Sequence, residues 1–200
     1  GSNVDPAKVL YTRAMIDLAA ESIAVEEVPC ANFEDVLGGF GRSFQMLMAR
    51  DVSDALAPDN PLIINTGILT GTNVMTGLRT YFSAFSPLKH SDSGLPAAIW
   101  SASSGKFGSK MKWTGLDEIV VEGQASRPLM IVIQTGDDGP RLTLKPADAL
   151  LGLDTHDKIM ALRKDYADAH FAAIGPAGEA YESCFFAAVA LSTENELKSG

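Results

Sequence analysis

The sequence has little cysteine and no long apolar run. Its only two cysteines, Cys30 and Cys184, lie far apart, whereas zinc sites and iron–sulfur clusters use closely spaced cysteines. No apolar stretch reaches the roughly 18 residues that a membrane span needs. The N-terminus also lacks the basic and apolar segments of a signal peptide. These absences favour two reduced thiols over a disulfide and predict a cytoplasmic protein without a membrane span.

Positive charge is scarce as well. The chain has 16 lysines and arginines against 25 aspartates and glutamates, and its formal net charge is −9. A whole-surface attraction to nucleic acid or anionic lipid is therefore not expected. A small anion can still bind, because local donors decide that. Hydrophobic residues make up 46% of the chain and charged residues 20%, which is typical of a globular protein that buries a core.

No repeat, low-complexity tract or Pro/Gly/Ser linker divides the chain. We therefore predict one continuous domain over residues 10–200. Residues 1–9 are interpreted as an N-terminal arm whose Gly1 and Ser2 have the form of a tag remnant. Short strands with helices between them indicate the α+β class rather than a regular βαβ series.

Local patterns predict the secondary structure of most segments, but one segment fits both a helix and a strand pair. Residues 7–28 fit a helix by composition and a strand pair by their central turn. Asn32 is a candidate cap for a short helix over residues 33–37, and Phe44, Leu47 and Met48 mark one side of a helix over residues 42–50. Further helices are predicted over 104–113 and from Asp154 to about 166. Strands are predicted over 61–66, 79–86, 118–122, 129–134, 141–145, 171–174 and 184–191, with a turn over 135–139.

Two glycine motifs approach nucleotide-binding signatures without matching them. Residues 39–44 carry Phe44 in place of the third glycine of a dinucleotide fingerprint, so we interpret them as a helix break that lets two backbones approach. Gly105 and Lys106 resemble the end of a phosphate loop, but Phe107 stands where Ser or Thr is required.

The common catalytic and metal-binding motifs are missing. No nucleophilic serine elbow is present, and His90, His156 and His170 show no metal-ligand spacing. His156 is expected to be solvated. His90 lies in a serine-rich loop and is the one histidine that the sequence singles out for testing.

Glycine, hydroxyl and basic residues concentrate between positions 66 and 112. Glycines let backbone N–H groups turn toward a ligand, and a helix that opens near Ser104 and Gly105 favours an anion. Arg79 adds a guanidinium that can grip phosphate with two hydrogen bonds. The pattern favours a phosphate-bearing ligand, and the alternative is a set of tight β-turns in a compact sheet domain. The residues are Gly67, Gly71, Gly77, Gly94, Gly105, Gly108, Thr66, Thr70, Thr72, Thr76, Ser101, Ser103, Ser104, Arg79, Lys106, Lys110 and Lys112.

A set of motifs also follows in a specific order along residues 10–190. It comprises Leu37-Gly38-Gly39 with Gly41, residues 60–72, the segment at Arg79, Ser86-Pro87-Leu88, Ser104-Gly105 before Phe107-Gly108, Lys112 before Gly115-Leu116-Asp117, Val121-Glu122-Gly123, and Ile174-Gly175-Pro176-Ala177-Gly178-Glu179. This set resembles the N-terminal domain of the tungsten-dependent aldehyde:ferredoxin oxidoreductases.

The resemblance implies a two-sheet α+β domain, with a hairpin over residues 7–28, on which a tungsten- or molybdenum-bis-molybdopterin cofactor sits. In the family, the arginine that matches Arg79 contacts a pterin phosphate. The turn that matches Ser103, Ser104, Gly105 and Lys106 offers a backbone carbonyl, at the position of Ser103, to the magnesium that bridges the two phosphates. Leu78 replaces a family glycine and is expected to crowd the turn before Arg79. An insertion over about 89–100 is expected to reshape the loop near the site.

The resemblance also implies what the whole enzyme does. Such an enzyme oxidises aldehydes to carboxylic acids and passes electrons through a [4Fe–4S] cluster to ferredoxin, and the cluster lies in later domains that this chain does not include. We therefore expect a cofactor-cradling domain that works with the enzyme's remaining domains or another subunit, contributes no catalytic residue and is inactive alone. The alternative is a non-catalytic interaction subunit that retains the fold.

Overall fold

The structure is a computed structural model that describes residues 9–30, 35–184, 187–193 and 197–199. The strands of these ranges are β1 (Leu10–Asp17), β2 (Ser22–Pro29), β3 (Leu62–Thr66), β4 (Thr80–His90), β5 (Pro96–Ser103), β6 (Glu118–Glu122), β7 (Leu129–Gly136), β8 (Gly139–Pro146), β9 (Ala172–Ile174), β10 (Val189–Ser192) and β11 (Leu197–Ser199). The helices are α1 (Gly39–Met48), α2 (Phe107–Trp113), α3 (Thr155–Arg163) and α4 (Pro176–Glu179), with a 3₁₀ turn at Asp148–Leu150.

Six strands form the main sheet, in the order β2-β1-β6-β3-β4-β5. The first two strands form an antiparallel hairpin in which Asp17 pairs with Ser22, so the hairpin implied by the resemblance is confirmed. β6 runs parallel to β1 and antiparallel to β3. β4 pairs with β3 on one side and with β5 on the other, antiparallel in both cases.

Each face of the main sheet buries its own cluster. Successive side chains of a strand point to opposite faces, and β6 shows this directly. Val120 packs with Leu47 of α1 and Ile63 of β3 on one face. Ile119 packs on the other face with Met111 of α2. Helix α1 thus covers one face and α2 the other.

Two smaller sheets complete the fold. β7 and β8 form a hairpin whose connection is Asp137 and Asp138, as the turn signal over residues 135–139 predicts. Its apolar side chains pack against the cluster on the α2 face. β9, β10 and β11 form a three-stranded sheet. The α+β class is confirmed, with one large and two small sheets among the described residues.

Several predicted boundaries are corrected. Helix α1 begins at Gly39, earlier than residue 42, directly after Gly38, where φ is +91°. Leu47 packs against Ile63 and Val120 and is fully buried, whereas Met48 is 85% exposed and does not share the buried side of the helix predicted for it. Residues 33 and 34 of the predicted short helix lie outside the described residues, as does its cap Asn32, and residues 35–37 are not helical.

Similar corrections apply further along the chain. Helix α2 begins at Phe107 and not at Ser104. Helix α3 ends at Arg163, short of residue 166, but its cap is as predicted, since Asp154 accepts a hydrogen bond from the Asp157 N–H at 2.8 Å. The last predicted strand begins at Val189. Residues 185 and 186 of its predicted range lie outside the described residues.

The predicted insertion near the site is also corrected. Lys89 and His90 end β4, and residues 96–100 belong to β5. The turn between these strands therefore lies at the far end of β4, roughly 30 Å from Thr80 at the usual rise of a strand. It does not reshape the loop beside Arg79.

No helix in the described part of the chain is long and apolar enough to cross a membrane.

Candidate functional site

The start of β4 and the end of β5 lie side by side. Thr80 pairs with Ser103 across the two strands. Arg79 precedes Thr80 and Ser104 follows Ser103, so both leave the sheet at the same end. The fold therefore brings Arg79 next to the turn formed by Ser103, Ser104 and Gly105.

Arg79 is exposed at this end of the sheet. Its Nη1 lies 3.5 Å from the carbonyl oxygen of Ala102, which is the outer limit of a hydrogen bond. Within the described part of the chain, no other hydrogen bond and no ion pair engages the guanidinium. Most of its five N–H donors are thus directed at solvent, and an anion that binds here does not have to displace a carboxylate.

The turn after β5 begins at a buried residue. Ser103 has 1% of its surface exposed, and its hydroxyl lies 3.4 Å from the carbonyl oxygen of Ser104. The carbonyl role that the resemblance implies for Ser103 stays a prediction. Gly105 has a φ of +108°, which a side chain rarely permits. Lys106 is half-buried and lies directly before α2.

Helix α2 is held against the sheet by a glycine. A Cβ added to Gly108 would lie 2.5 Å from the Thr80 hydroxyl and 3.1 Å from Thr66 Cγ2. Thr66, Thr70 and Thr80 are all buried. The hydroxyls of Thr66 and Thr70 thus support packing and do not face a ligand, which corrects part of the hydroxyl-rich set in the sequence analysis. The sequence analysis counted them among the possible ligand contacts, because composition does not reveal on which side of the turn a residue lies.

The loop before Arg79 contains a strained residue. Thr76 has a φ of +67°, which is unfavourable for a β-branched side chain. The neighbouring Leu78, expected to crowd this turn, instead has a side chain that is 42% exposed. The backbone strain of the turn therefore lies at Thr76, and the Leu78 side chain is directed largely to solvent.

A second basic group borders the Gly105 turn. A Cβ at Gly105 would lie 3.2 Å from the Ser192 carbonyl oxygen, so the turn packs on the end of β10. Arg163 of α3 donates from Nη2 to the carbonyl oxygen of Thr193 at 3.1 Å. The Nδ1 atom of His170 lies 3.4 Å from both the carbonyl and the hydroxyl oxygen of Ser192. Three parts of the chain thus meet at the end of β10.

The charges at this junction act on His170. Burial lowers the pKa of its imidazole below the ordinary value, against a hydrogen bond to Ser192 that raises it. The positive charges of Lys110, Lys106 and Arg163 lower the same pKa further. The fold therefore favours a neutral His170 beside three cations.

The sequence analysis singled out a different histidine. His90 is exposed at the far end of β4, and His156 is exposed on α3. His170 is the histidine that adjoins the turn after β5. No local signal marks it, because the groups around it come from α2, α3 and β10, which are distant in sequence.

The near-fingerprint at residues 39–44 lies within α1 and takes part in packing. A Cβ at Gly38 would come within 2.8 Å of the Thr66 carbonyl oxygen, so two backbones do approach here. Arg42 donates from Nε to the fully buried Glu118 carboxylate at 2.7 Å. Asn65 donates to the same carboxylate at 3.1 Å. This network ties α1 to the sheet face opposite α2, away from the candidate site.

Three comparisons place the chain among known proteins. The family model for the aldehyde ferredoxin oxidoreductase N-terminal domain matches residues 13–198. The tungsten-containing aldehyde ferredoxin oxidoreductase of Thermococcus kodakarensis is 34% identical over 168 residues, which cover 82% of this chain and 26% of that protein. The enzyme of the same name from Pyrococcus furiosus is 33% identical over 168 residues, with the same coverage of 82% and 26%.

The chain belongs to the aldehyde ferredoxin oxidoreductase N-terminal domain family. A solved structure agrees with this assignment. The active-site complex BamBC of benzoyl coenzyme A reductase, in complex with 1,5-dienoyl-CoA, matches with a TM-score of 0.78 and 25% identity over 96% of this chain and 28% of that chain. The resemblance drawn from the sequence is thus confirmed, and the chain is a domain of an oxidoreductase family. It spans 26% of the length of the two curated relatives. The roles of individual residues at the site stay predictions.

Proposed function

We propose that this domain cradles the phosphates of a tungsten- or molybdenum-bis-molybdopterin cofactor in an enzyme that oxidises aldehydes to carboxylic acids. The observation that carries the proposal is the exposed guanidinium of Arg79 beside the turn from Ser103 to Lys106. In a chain of net charge −9, exposed donors without a carboxylate partner are expected where an anion binds.

The residues at this end of the sheet fit a phosphate-bearing group. Arg79 offers a planar set of donors that matches phosphate oxygens in pairs. Lys106 supplies a second positive charge, and the turn at Ser104 and Gly105 brings the backbone close to the same volume. The role proposed for Ser103 is that of a backbone carbonyl ligand to the magnesium ion, which requires no particular side chain.

A magnesium ion that accompanies the cofactor would be held by the backbone carbonyl oxygen of Ser103 and by oxygens of the cofactor phosphates, because Mg²⁺ prefers oxygen ligands. No group of three or more His, Cys, Asp or Glu side chains in the described part of the chain is placed to hold a metal ion. When bound, the cofactor supplies the metal at which substrate is oxidised, and this domain binds and orients it.

The choice of substrate class follows the curated relatives. They are 34% and 33% identical to this chain and are named for aldehyde oxidation. The solved neighbour is 25% identical and is named for a benzoyl coenzyme A reductase. We therefore propose aldehyde oxidation, with an iron–sulfur cluster in the remaining domains and ferredoxin as acceptor in the cytoplasm, ahead of the reduction of a benzoyl coenzyme A.

The alternative is a non-catalytic interaction subunit that retains the fold, favoured in the sequence by Leu78 and by the insertion over residues 89–100. The turn within that insertion lies at the far end of the β4–β5 hairpin. The exposed guanidinium of Arg79, which has no ion-pair partner among the described residues, favours the cofactor role over this alternative.

The test is cofactor retention in the full-length enzyme that contains this domain. A charged contact of this kind contributes about 1.5–3 kcal/mol, so Arg79→Ala should weaken retention by about ten- to a hundredfold. Arg79→Lys should restore only part, because lysine lacks the planar fork. The measurement is metal and pterin content per polypeptide after gel filtration.

The matched control is Arg141→Ala. Arg141 is an exposed arginine on β8, away from the candidate site, and its removal should leave metal and pterin content unchanged. Wild-type occupancy in Arg79→Ala would remove Arg79 from the site and the proposed role with it.

A further inference from the structure

Strand β5 forms one edge of the main sheet. It pairs with β4 on one side, and no other strand of the described residues pairs with it on the other. Its regular part covers residues 98–103, which pair with β4 in unbroken register, whereas the register shifts between Phe85 and His90. An edge strand presents a row of backbone N–H and C=O groups to which another strand can bind.

The middle of this edge lacks the features that usually prevent such pairing. Edge strands are commonly protected by charged side chains, proline or a bulge. In β5, Pro96 and the register shift lie at the start of the strand, and the Arg79 guanidinium approaches the Ala102 carbonyl oxygen at its end. Residues 98–101 between them are Ala, Ile, Trp and Ser, none of which carries a charge. We call residues 98–101 the open edge.

The opposite edge of the same sheet differs in charge. Strand β2 carries Glu26 and Glu27 near its middle. A pairing of β2 with the β2 of a second copy would bring these carboxylates together, and like charges on neighbouring strands are destabilising. In a chain of net charge −9, β2 therefore resists self-association, whereas the open edge adds no charge to a contact.

An exposed aromatic pair lies directly on the open edge. Trp100 of β5 stacks on Phe40 of α1, with the ring centroids 4.6 Å apart and an interplanar angle of 11°. Trp100 is nevertheless 47% exposed and Phe40 41% exposed. The edge thus offers unpaired strand backbone and aromatic surface at the same place, which is the combination that favours the addition of a further strand.

We propose that the open edge binds a second copy of this chain, with the two β5 strands antiparallel about a two-fold axis near Trp100. Such a contact matches a surface with itself, and an uncharged strand meets that requirement without opposing like charges. Residues directly opposite each other in an antiparallel pair have their side chains on the same face of the sheet. The two Trp100 rings would therefore adjoin, each backed by its own Phe40. The proposal does not require the cofactor role of Arg79.

The direct test is the association state of the 200-residue chain in solution. A contact made by one short strand and its aromatic neighbours lies at the lower end of interface sizes, so we expect a reversible dimer with a Kd of about 10 µM. Sedimentation equilibrium over concentrations from about tenfold below to about a hundredfold above this value measures it. A chain that stays monomeric throughout would overturn the proposal.

Opposite charges at one position test the two-fold axis. Trp100→Lys and Trp100→Glu should each weaken dimerisation by at least about tenfold, because like charges would then face each other. An equimolar mixture of the two should associate about tenfold more tightly than either alone, since Lys would face Glu. Val25→Lys is the control, at a 45% exposed position on β2, and should dimerise like the wild type. Loss of the dimer in Val25→Lys, or a mixture no tighter than its components, would contradict the proposed surface.

Amide hydrogen exchange tests the backbone pairing without any substitution. Amides of the open edge should exchange more slowly above the Kd than in the dilute monomer, whereas those of β2 should not change. Slow exchange at the open edge already in the dilute monomer would show that another part of the chain covers it. The same result only in dilute full-length enzyme would assign the edge to the remaining domains. Either result would overturn the pairing with a second copy.

Discussion

Gly108 of α2 lies directly against Thr80 at the start of β4: a Cβ at this glycine would come within 2.5 Å of the threonine hydroxyl. Thr80 is fully buried, so the hydroxyl cannot move outward to make room. The missing side chain lets α2 approach the sheet, and α2 directly follows Gly105 and Lys106. This contact therefore sets the position of the turn beside Arg79.

Gly108→Ala should lower the free energy of unfolding by about 1–3 kcal/mol, which is the usual cost of overpacking. Urea unfolding of the chain measures it. Gly41→Ala is the matched control within α1, because its Cβ would meet only Val36 Cγ1, at an ordinary 3.5 Å. That variant should be neutral or stabilising by up to about 1 kcal/mol, since alanine favours helix. Equal stability of the two variants would contradict the close contact at Gly108.

The buried pair of Arg42 and Glu118 gives a second stability prediction. Glu118→Gln would leave the Arg42 charge without its partner, and such changes cost about 3–5 kcal/mol. Because Arg42 would then be the remaining charge, adding Arg42→Met to Glu118→Gln should recover part of the loss. Chemical denaturation of the single and double variants measures both effects.

The control for this prediction is the surface pair of Arg13 and Glu26, whose carboxylate side chain is 46% exposed. Glu26→Gln should change the unfolding free energy by less than about 1 kcal/mol. A Glu118→Gln variant no less stable than Glu26→Gln would show that the Arg42–Glu118 pair does not support the fold.

The sequence predicted those elements whose geometry depends on one or two neighbouring residues. Asp154 caps α3 through its own side chain, and the adjacent Asp137 and Asp138 form the turn of the β7–β8 hairpin. Strand β5 was missed, because it begins with Pro96 and is rich in small residues of low β propensity. The register that places Arg79 beside Ser104 depends on that strand, so the resemblance and not the local pattern indicated their approach. The junction at His170 depends on α2, α3 and β10 together, which no local pattern reveals.

The two cysteines should differ in reactivity. Cys30 is 2% exposed and Cys184 is half-buried, and no disulfide joins these two described residues. Non-reducing mass spectrometry should therefore show two reduced thiols. A maleimide should modify Cys184 first in the native chain and reach Cys30 at a comparable rate only in denaturant. A loss of two hydrogens in the intact mass would contradict the expectation of two thiols.

The last prediction concerns stability at mildly acidic pH. The pKa of His170 is lowered in the fold, first by burial and then by the neighbouring cations, whereas an unfolded histidine titrates near a pH of about 6.5. Below that pH the His170 imidazole is protonated in the unfolded chain, whereas in the folded chain it stays neutral down to its lower folded pKa. The contribution of neutral His170 to the free energy of unfolding is therefore fully present at a pH above the unfolded pKa. It is lost as the pH falls through the unfolded pKa toward the lower folded pKa.

Two variants isolate this effect. His170→Asn should reduce the fall in unfolding free energy between about pH 7 and pH 5.5, whereas His156→Asn, at an exposed position on α3, should leave the wild-type fall unchanged. The measurement is urea unfolding at several pH values with ionic strength held constant. An identical pH dependence in His170→Asn and the wild type would show that this histidine is not held neutral by the cations around it.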